Sequence, residues 1–483
     1  MPLLSALARA VTAPVYFLFG IHRHRATLHG KARWMGFFEK RRFLSRHNTG
    51  LVLSPYRRLA PDESFKNLAL IAPTGSGKTT RYVIPNILLC SGSAIITDPS
   101  GEIYEKTSGH LRERGYSIQV IQPASLEHSL RFNPLSHLRT RQNLRQLAAI
   151  LALTTSGSHA DQFWTMAATN IIFVCLSALS QVEDRRVVHL GNVRQLLNAL
   201  GGADDKAAER FFARYSDDLT FNEYKAFLAQ DDKVMTGILA TARAALDLWS
   251  DPDIVRFTAS DTLPLATLRS APTALYIIVP EDKIRYFSII INLLYAACFE
   301  ACLRPVTEQS LPVYFFLDEF GNSGRVHNFA TIATTLRKRR CSLSIILQEY
   351  AQLSATYGDD EAEAIYGGGM NNKLYFSGLD LKTTSNLERT LGHNTAFDNE
   401  TGFSDESSRT IAMPLMTADQ IRMMKRSHAL LISGSQKPVR LTMKPYFKYP
   451  DLLRLTKKTP FSPRFDYAGE SIAWLDLERE GKG

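Results

Sequence analysis

Ala72-Pro73-Thr74-Gly75-Ser76-Gly77-Lys78-Thr79-Thr80 is the stretch that decides the fold. It lies between an apolar run, Leu68 to Ile71, and a stretch read as an amphipathic helix, Tyr82 to Leu89. Strand, glycine loop and helix in that order form a phosphate cradle. Gly75 and Gly77 let backbone N–H groups turn toward an anion, Lys78 reaches the β- and γ-phosphates, and the Thr79 hydroxyl is a ligand for Mg²⁺. The helix that follows adds the positive end of its dipole. Pro73, Thr74, Gly75, Ser76, Gly77, Lys78, Thr79 and Thr80 are therefore the candidate ATP-binding residues. One position departs from the usual eight-residue signature: Ala72 replaces the first glycine, so a methyl group must fit where the strand ends.

A carboxylate pair completes the chemistry. Val313 to Leu317 is a short β-rich apolar run that ends in Asp318-Glu319, which puts two acids at the carboxyl end of a buried strand. Asp318 would hold the Mg²⁺ water shell beside Thr79, and Glu319 would polarise the attacking water. Alone, such a string is also what a solvated loop looks like; with the phosphate loop it points to a P-loop NTPase carrying its glutamate on a second strand. Further on, a helix read from Val326 to Leu336 runs into Arg337-Lys338-Arg339-Arg340, and the strand Ser342 to Leu347 ends at Gln348. Gln348 is in position to hydrogen-bond the γ-phosphate or its attacking water. The basic run suits a helix end, where cations complement the dipole, or supplies an arginine finger to a neighbouring subunit's nucleotide.

Composition sets the class of partner. The 483 residues are 45% apolar and 22% charged, with a net charge of +10 and a pI near 9.3. Such a chain buries a large core, fits two or three domains, and favours polyanions such as nucleic acid or an anionic membrane surface. Its five cysteines, Cys90, Cys175, Cys298, Cys302 and Cys341, lie in apolar surroundings without paired metal spacing. They read as buried, reduced thiols of a cytoplasmic protein. Leu3 to Ile21 is almost wholly apolar but holds Arg9 and Pro14, and a basic run with Arg23, Arg25, Lys31 and Arg33 follows. That pattern suits a marginal membrane span, an interfacial anchor or a packed terminal helix, with the basic flank on the cytoplasmic side.

Texture along the chain changes twice. From Phe65 to Leu135 short β-rich runs (Asn67 to Ile71, Ala94 to Thr97, Ser117 to Ile121) alternate with helical stretches, as in a parallel βαβ sheet. From Arg139 to Phe257 the strand signal disappears, and helical spacing runs through Asp161 to Gln181, Val193 to Leu200 and Val234 to Leu248. The aromatic stripe in the first of these reads as core. Strands resume at Ala274 to Val279 and Val313 to Leu317, then Ser342 to Leu347, Lys373 to Phe376 and Ala429 to Ser433. The tail after Pro450 is mixed and charged. We expect a possible anchor over 1–27, a nucleotide-binding domain in two parts over 28–138 and 261–450, an all-α insertion over 139–260, and a tail over 451–483.

Taken together, these residues resemble the TraG/TraD-like coupling-protein ATPases of conjugation and type IV secretion. The resemblance covers about residues 28 to 450. It rests on Gly30-Lys31-Ala32-Arg33-Trp34, Asp98-Pro99 with Gly101-Glu102, Phe132-Asn133-Pro134-Leu135 and Phe163-Trp164. Leu317-Asp318-Glu319-Phe320, Gln348 with Gln352-Leu353, Tyr357-Gly358 and Pro414-Leu415-Met416 complete it. It implies a RecA-like α/β P-loop NTPase core with an inserted all-α domain, using ATP and Mg²⁺. In the roles it implies, Lys78 and Thr79 take phosphate and Mg²⁺, Asp318 the metal, Glu319 the base and Gln348 the sensor. The family's finger arginine, eleven residues before Gln348, falls on Arg337, acting across a subunit boundary. Implied partners are other copies in a homohexamer, single-stranded DNA with its relaxase, and inner-membrane secretion-channel proteins, at the cytoplasmic face of the bacterial inner membrane. A coupling protein recruiting effector proteins without DNA, or a docking adaptor with little hydrolysis, are the alternatives. Two departures stand out: Ser100 replaces a lysine common in the family, and only one candidate span precedes the core, so either the chain starts late or a separate membrane partner docks it.

Overall fold

A long parallel sheet follows directly from strand runs that are apolar on both faces. The computed structural model describes residues 30–155, 162–202, 205–397, 410–467 and 470–480. Strands β1 (Val52–Ser54) and β2 (Arg57–Arg58) make a small antiparallel pair. The strands β3 (Leu68–Ile71), β4 (Ser93–Asp98), β5 (Ser117–Ile121), β6 (Thr273–Ile278), β7 (Val313–Leu317) and β8 (Cys341–Leu347) then enter the main sheet. They are joined by β9 (Asn372–Phe376), β12 (His428–Ser433) and β13 (Val439–Thr442), while β10 (His393–Phe397) and β11 (Thr410–Pro414) form a separate ribbon. The nine-stranded order is β13-β12-β9-β3-β8-β7-β4-β6-β5. All neighbours from β9 to β5 are parallel; β12 runs antiparallel to both β9 and β13.

Side-chain alternation sends each strand into two cores. Ala69 and Ile71 of β3 join one, and Leu68, Leu70 and the following Ala72 join the other. The first core is covered by the helices Ser288–Leu303 and Phe329–Arg337 and runs on without a break into a purely helical unit. That unit comprises Arg141–Thr155, Gln162–Leu179, Leu190–Ala199, Asp205–Tyr215, Asp218–Leu228, Asp232–Ala245 and Pro252–Ala259. The second core is closed by Ile84–Leu88 and Glu102–Glu113. This is the RecA-like α/β core with an inserted all-α unit that the sequence leads one to expect.

Helix Gln162–Leu179 is long and apolar enough to cross a membrane, yet most of it is buried inside the helical unit. Its aromatic stripe divides. Phe163 is exposed, whereas Trp164 packs so closely on the helix Asp232–Ala245 that a Cβ on Gly237 would lie 2.6 Å from the indole. The tail forms a strap rather than a loose end. Phe461 N donates to Ser108 Oγ, Phe465 N to Glu127 O, and Leu475 N to Asn192 Oδ1, so the strap crosses from the core to the insertion. Residues 3–21, the candidate anchor, lie outside the described residues.

Several local expectations shift. Tyr82 to Leu88 is buried on all sides, not amphipathic, and its first turn, Thr79–Val83, is a wide π turn before α-helix begins at Ile84. Asn67 is not in β3; it stands in the left-handed region at φ 59°, with its amide held by Ala333 O and Gly369 O. The helix before the basic run spans Phe329–Arg337 and so starts three residues later than its apolar spacing suggests. Cys341 is buried but its surroundings are not purely apolar, because the Arg269 guanidinium lies 3.1 Å from its Sγ. All five cysteines are free and buried.

Candidate functional site at the carboxyl edge of the sheet

The loop after β3 owes its shape to two glycines. Gly75 and Gly77 sit at φ 73° and 83°, where a side chain is strained, and a Cβ on Gly77 would also come within 3.0 Å of Thr80 Oγ1. Ala72 causes no conflict: its methyl is fully buried in the second core, and its N–H donates to Leu347 O at 2.9 Å, extending the β3–β8 ladder by one residue. Ser76 Oγ is buried without a hydrogen-bond partner among the described residues. Arg81 braces the loop from behind. Its guanidinium donates to Ser76 O, His428 O and Met443 O and lies 3.8 Å from the Phe376 ring centroid, and burial lowers its pKa to about 10.

Sheet order brings the remaining candidates to the loop. β8 lies between β3 and β7, so Gln348 at the tip of β8 stands between Thr74 and the acidic pair at the tip of β7. Thr74 Oγ1 donates to Gln348 Oε1 at 3.0 Å, and Gln348 Nε2 donates to the Glu319 carboxylate at 3.1 and 3.2 Å. Lys78 Nζ is paired with Glu319 and lies 3.7 Å from Asp318 Oδ1. The Thr79 hydroxyl donates to Asp318 Oδ2 at 3.4 Å. Glu319 itself has φ 53°, and that left-handed backbone turns its carboxylate back along the edge. Asn322 Nδ2 holds the other side of this carboxylate at 3.0 Å.

Burial dominates the electrostatics. Asp318 is 3% exposed, and desolvation pushes its pKa up to about 6, against the pull of Lys78. Asp98, at the end of β4 beside β7, is likewise pushed to about 6 by burial, although backbone N–H groups from Ser100 to Tyr104 oppose the shift. Tyr104 N donates to Asp98 Oδ2 at 2.7 Å, so this acid ties the loop after β4 to its helix.

Of the candidates picked out in the sequence, Lys78, Thr79, Asp318, Glu319 and Gln348 meet in one place, and Arg337 does not. Arg337 ends the helix that leads into β8, so it lies at the amino end of the strand whose carboxyl end carries Gln348. Seven residues of β8 separate the two edges by about 20 Å. Arg337 is exposed and makes no ion pair among the described residues. Sequence reasoning passed over Asn322, Arg81 and the buried state of Asp98. Only Arg81 left a signal, as a lone cation in an otherwise apolar stretch.

Comparison with known proteins supplies the family and the fold. The family model for type IV secretory system conjugative DNA transfer matches residues 39–464. The VirD4 protein of Rhizobium rhizogenes is 24% identical over 463 residues, 88% of this chain and 67% of the relative. A probable conjugal transfer protein TraG of Sinorhizobium fredii is 21% identical over 481 residues, covering 89% of this chain and 74% of the relative. Among solved structures, the bacterial conjugative coupling protein TrwB lacking its first 70 residues superposes with a TM-score of 0.69 at 15% identity, over 86% of this chain and 95% of that one. TrwB in complex with ADP and Mg²⁺ gives a TM-score of 0.67, also at 15% identity, over 86% and 96%. These likenesses carry the fold, and the family model carries the assignment: this chain belongs to the type IV secretory system conjugative DNA transfer family, the coupling-protein family its motifs resemble.

Proposed function

We propose that this coupling protein is an ATPase that drives single-stranded DNA, with its attached relaxase, toward a type IV secretion channel from the cytoplasmic face of the bacterial inner membrane. The carrying observation is the closed network Thr74–Gln348–Glu319–Lys78, which links the ends of β3, β8 and β7. The loop fits a polyphosphate. Two glycines with positive φ free the backbone to curl, Ser76 Oγ is buried with no partner among the described residues, and the Thr79 hydroxyl beside the Asp318 carboxylate is the hard-oxygen set Mg²⁺ prefers. Pro73 to Thr80 would hold ATP, and Thr79 and Asp318 its Mg²⁺, which supplies charge neutralisation at the transferring phosphoryl group.

In this reading Lys78 exchanges its carboxylate partner for phosphate oxygens, which frees Glu319. Gln348 and Asn322 keep the freed carboxylate oriented, and Glu319 takes the proton from the attacking water. Gln348, bonded to the loop through Thr74, senses whether the site is loaded. Arg337 is too far from its own loop to act there, so we assign it to the nucleotide of the neighbouring subunit in a homohexamer. We divide the chain as 28–138 and 261–450 for the nucleotide-binding domain, 139–260 for the all-α insertion, 1–27 for an anchor and 451–483 for the tail.

Turnover measured with and without single-stranded DNA tests the reading, alongside oligonucleotide titrations at several salt concentrations. Binding should be indifferent to sequence, and log K should fall linearly with log salt concentration, because phosphate contacts dominate. Absence of binding at low salt by the assembled, ATP-loaded protein would leave effector proteins as the cargo.

A further inference from the structure

The short helix Phe37–Phe43 is built with two unlike faces. At about 100° per residue, Phe37, Arg41, Phe38 and Arg42 fall in one sector of about 140°. Both aromatic side chains are exposed, Phe37 to 66% and Phe38 to 83%, with ring centroids 5.5 Å apart. Arg41 and Arg42 are exposed and make no ion pair among the described residues. The opposite face is fastened to the body. Lys40 Nζ donates to Arg440 O at 2.5 Å, Glu39 pairs with Lys437 and accepts from Gly36 N, and Phe43 packs on the second core. The outward face is therefore held against the body, and its two exposed phenyl rings alternate with two guanidiniums that make no ion pair among the described residues.

We infer that this face docks on an anionic phospholipid bilayer, with the Phe37 and Phe38 rings entering the headgroup layer and Arg41 and Arg42 on lipid phosphates. Interleaved aromatic and arginine side chains on one helix face are the pattern of an interfacial helix, and the unpaired positive charge complements anionic lipid. Chain arithmetic agrees. The apolar stretch Leu3 to Ile21 ends sixteen residues before Phe37, a span of at most about 58 Å when extended, so an anchor in the bilayer keeps this helix within reach of the surface. Lys31 and Arg33, both exposed, add positive charge on the same approach. The inference rests on the membrane location proposed above and is independent of ATP turnover.

The test uses the full chain with Phe38→Cys, labelled with an environment-sensitive fluorophore; the native cysteines are all buried. It is mixed with vesicles of phosphatidylcholine alone or with one third phosphatidylglycerol, with and without bromine-labelled acyl chains. The expected result is a blue-shifted probe quenched by the brominated chains in the anionic vesicles, with quenching reduced at least threefold by Arg41→Ser with Arg42→Ser or by high salt. ATP turnover should be the same in all variants, so a chain that never hydrolyses ATP speaks against the ATPase reading and not against docking. A probe that stays water-exposed while the chain floats with anionic vesicles overturns the inference, as does a chain that does not float with them. A probe response to an oligonucleotide and none to vesicles overturns it too, and makes the face a DNA contact.

Discussion

The two edges of the central sheet differ in how far a single chain can satisfy them. At the carboxyl edge Lys78, Glu319, Gln348 and Thr74 bond to one another across three strands, and Asp318 and Thr79 close the group. At the amino edge Arg337 is exposed, and no acid among the described residues pairs with it. A buried site fulfils its own hydrogen bonds because an unpaired buried charge is costly. An exposed arginine carries no such penalty and can wait for another chain. The contrast teaches that one edge is assembled by folding and the other, in our reading, by oligomerisation.

The hardest blow to the carboxyl edge should come from its two ionic members. Lys78→Ala should abolish measurable ATP turnover, and Glu319→Gln should lower kcat by about a hundredfold or more while the nucleotide Kd stays within a few-fold of the parent. If Glu319→Gln turns over at the parental rate, Glu319 is not the base and the edge is only a structural ion cluster. Next in size is the amino edge. Arg337→Ala should assemble normally and lose about 10³ in kcat. Mixed with the Lys78→Ala chain, it should regain activity, because some interfaces then pair an intact loop with an intact arginine. If mixed rings form and no ratio restores turnover, Arg337 belongs to neither site and the contrast between the edges fails.

A smaller effect separates sensing from chemistry. Gln348→Ala removes one donor shared between both oxygens of a charged carboxylate, worth about 1.5–3 kcal/mol in all, so kcat should fall by about tenfold to a hundredfold with little change in Kd. An unchanged kcat would mean that Asn322 alone orients Glu319. The smallest effect tests whether the carboxyl edge is independent of the distant strap. His189 is buried with its Nε2 on Ala473 O, its Nδ1 has no partner among the described residues, and burial lowers its pKa from the usual 6.5. The unfolded or undocked segment thus binds the proton more readily, and the stabilisation is present above about pH 6.5 and lost as pH falls below it. Hydrogen exchange of residues 470–480 should quicken at pH 5.5 relative to pH 7.5, and His189→Gln should flatten that dependence. Nucleotide affinity that changes in step with the strap would show that the two regions are coupled.

How legible each part was in the sequence depends on the range of the forces that make it. The phosphate loop, the acidic pair and Gln348 each announce themselves within a few residues, since a glycine turn or a strand end is a local matter of φ and polarity. Tyr82 to Leu88 has no polar face because the helix is sandwiched between the sheet on one side and the strand β1 and helix Glu102–Glu113 on the other; the polar groups that interrupt its apolar run are Arg81 and Asn86. Both of those polar groups are buried and bonded to backbone, Asn86 to Val52 and Tyr82 and Arg81 to three carbonyls. Asn322 gave no signal at all, because its partner is chosen by the left-handed turn at Glu319.

By itself the sequence determined the kind of molecule: a phosphate-binding α/β core interrupted by helices, with its charge, its buried thiols and its candidate chemistry at named positions. Those features are written in side-chain type and spacing, which act over one or two turns of chain. Tertiary structure alone decided the strand order that puts β8 between β3 and β7, the ion pair that joins Lys78 to Glu319, and the separation of Arg337 from both. It also decided that the charged tail is a strap and that Phe37 and Phe38 face outward. Strand order and exposure are set by which distant surfaces bury each other. That free energy depends on contacts between residues hundreds of positions apart, and no local window of sequence contains them.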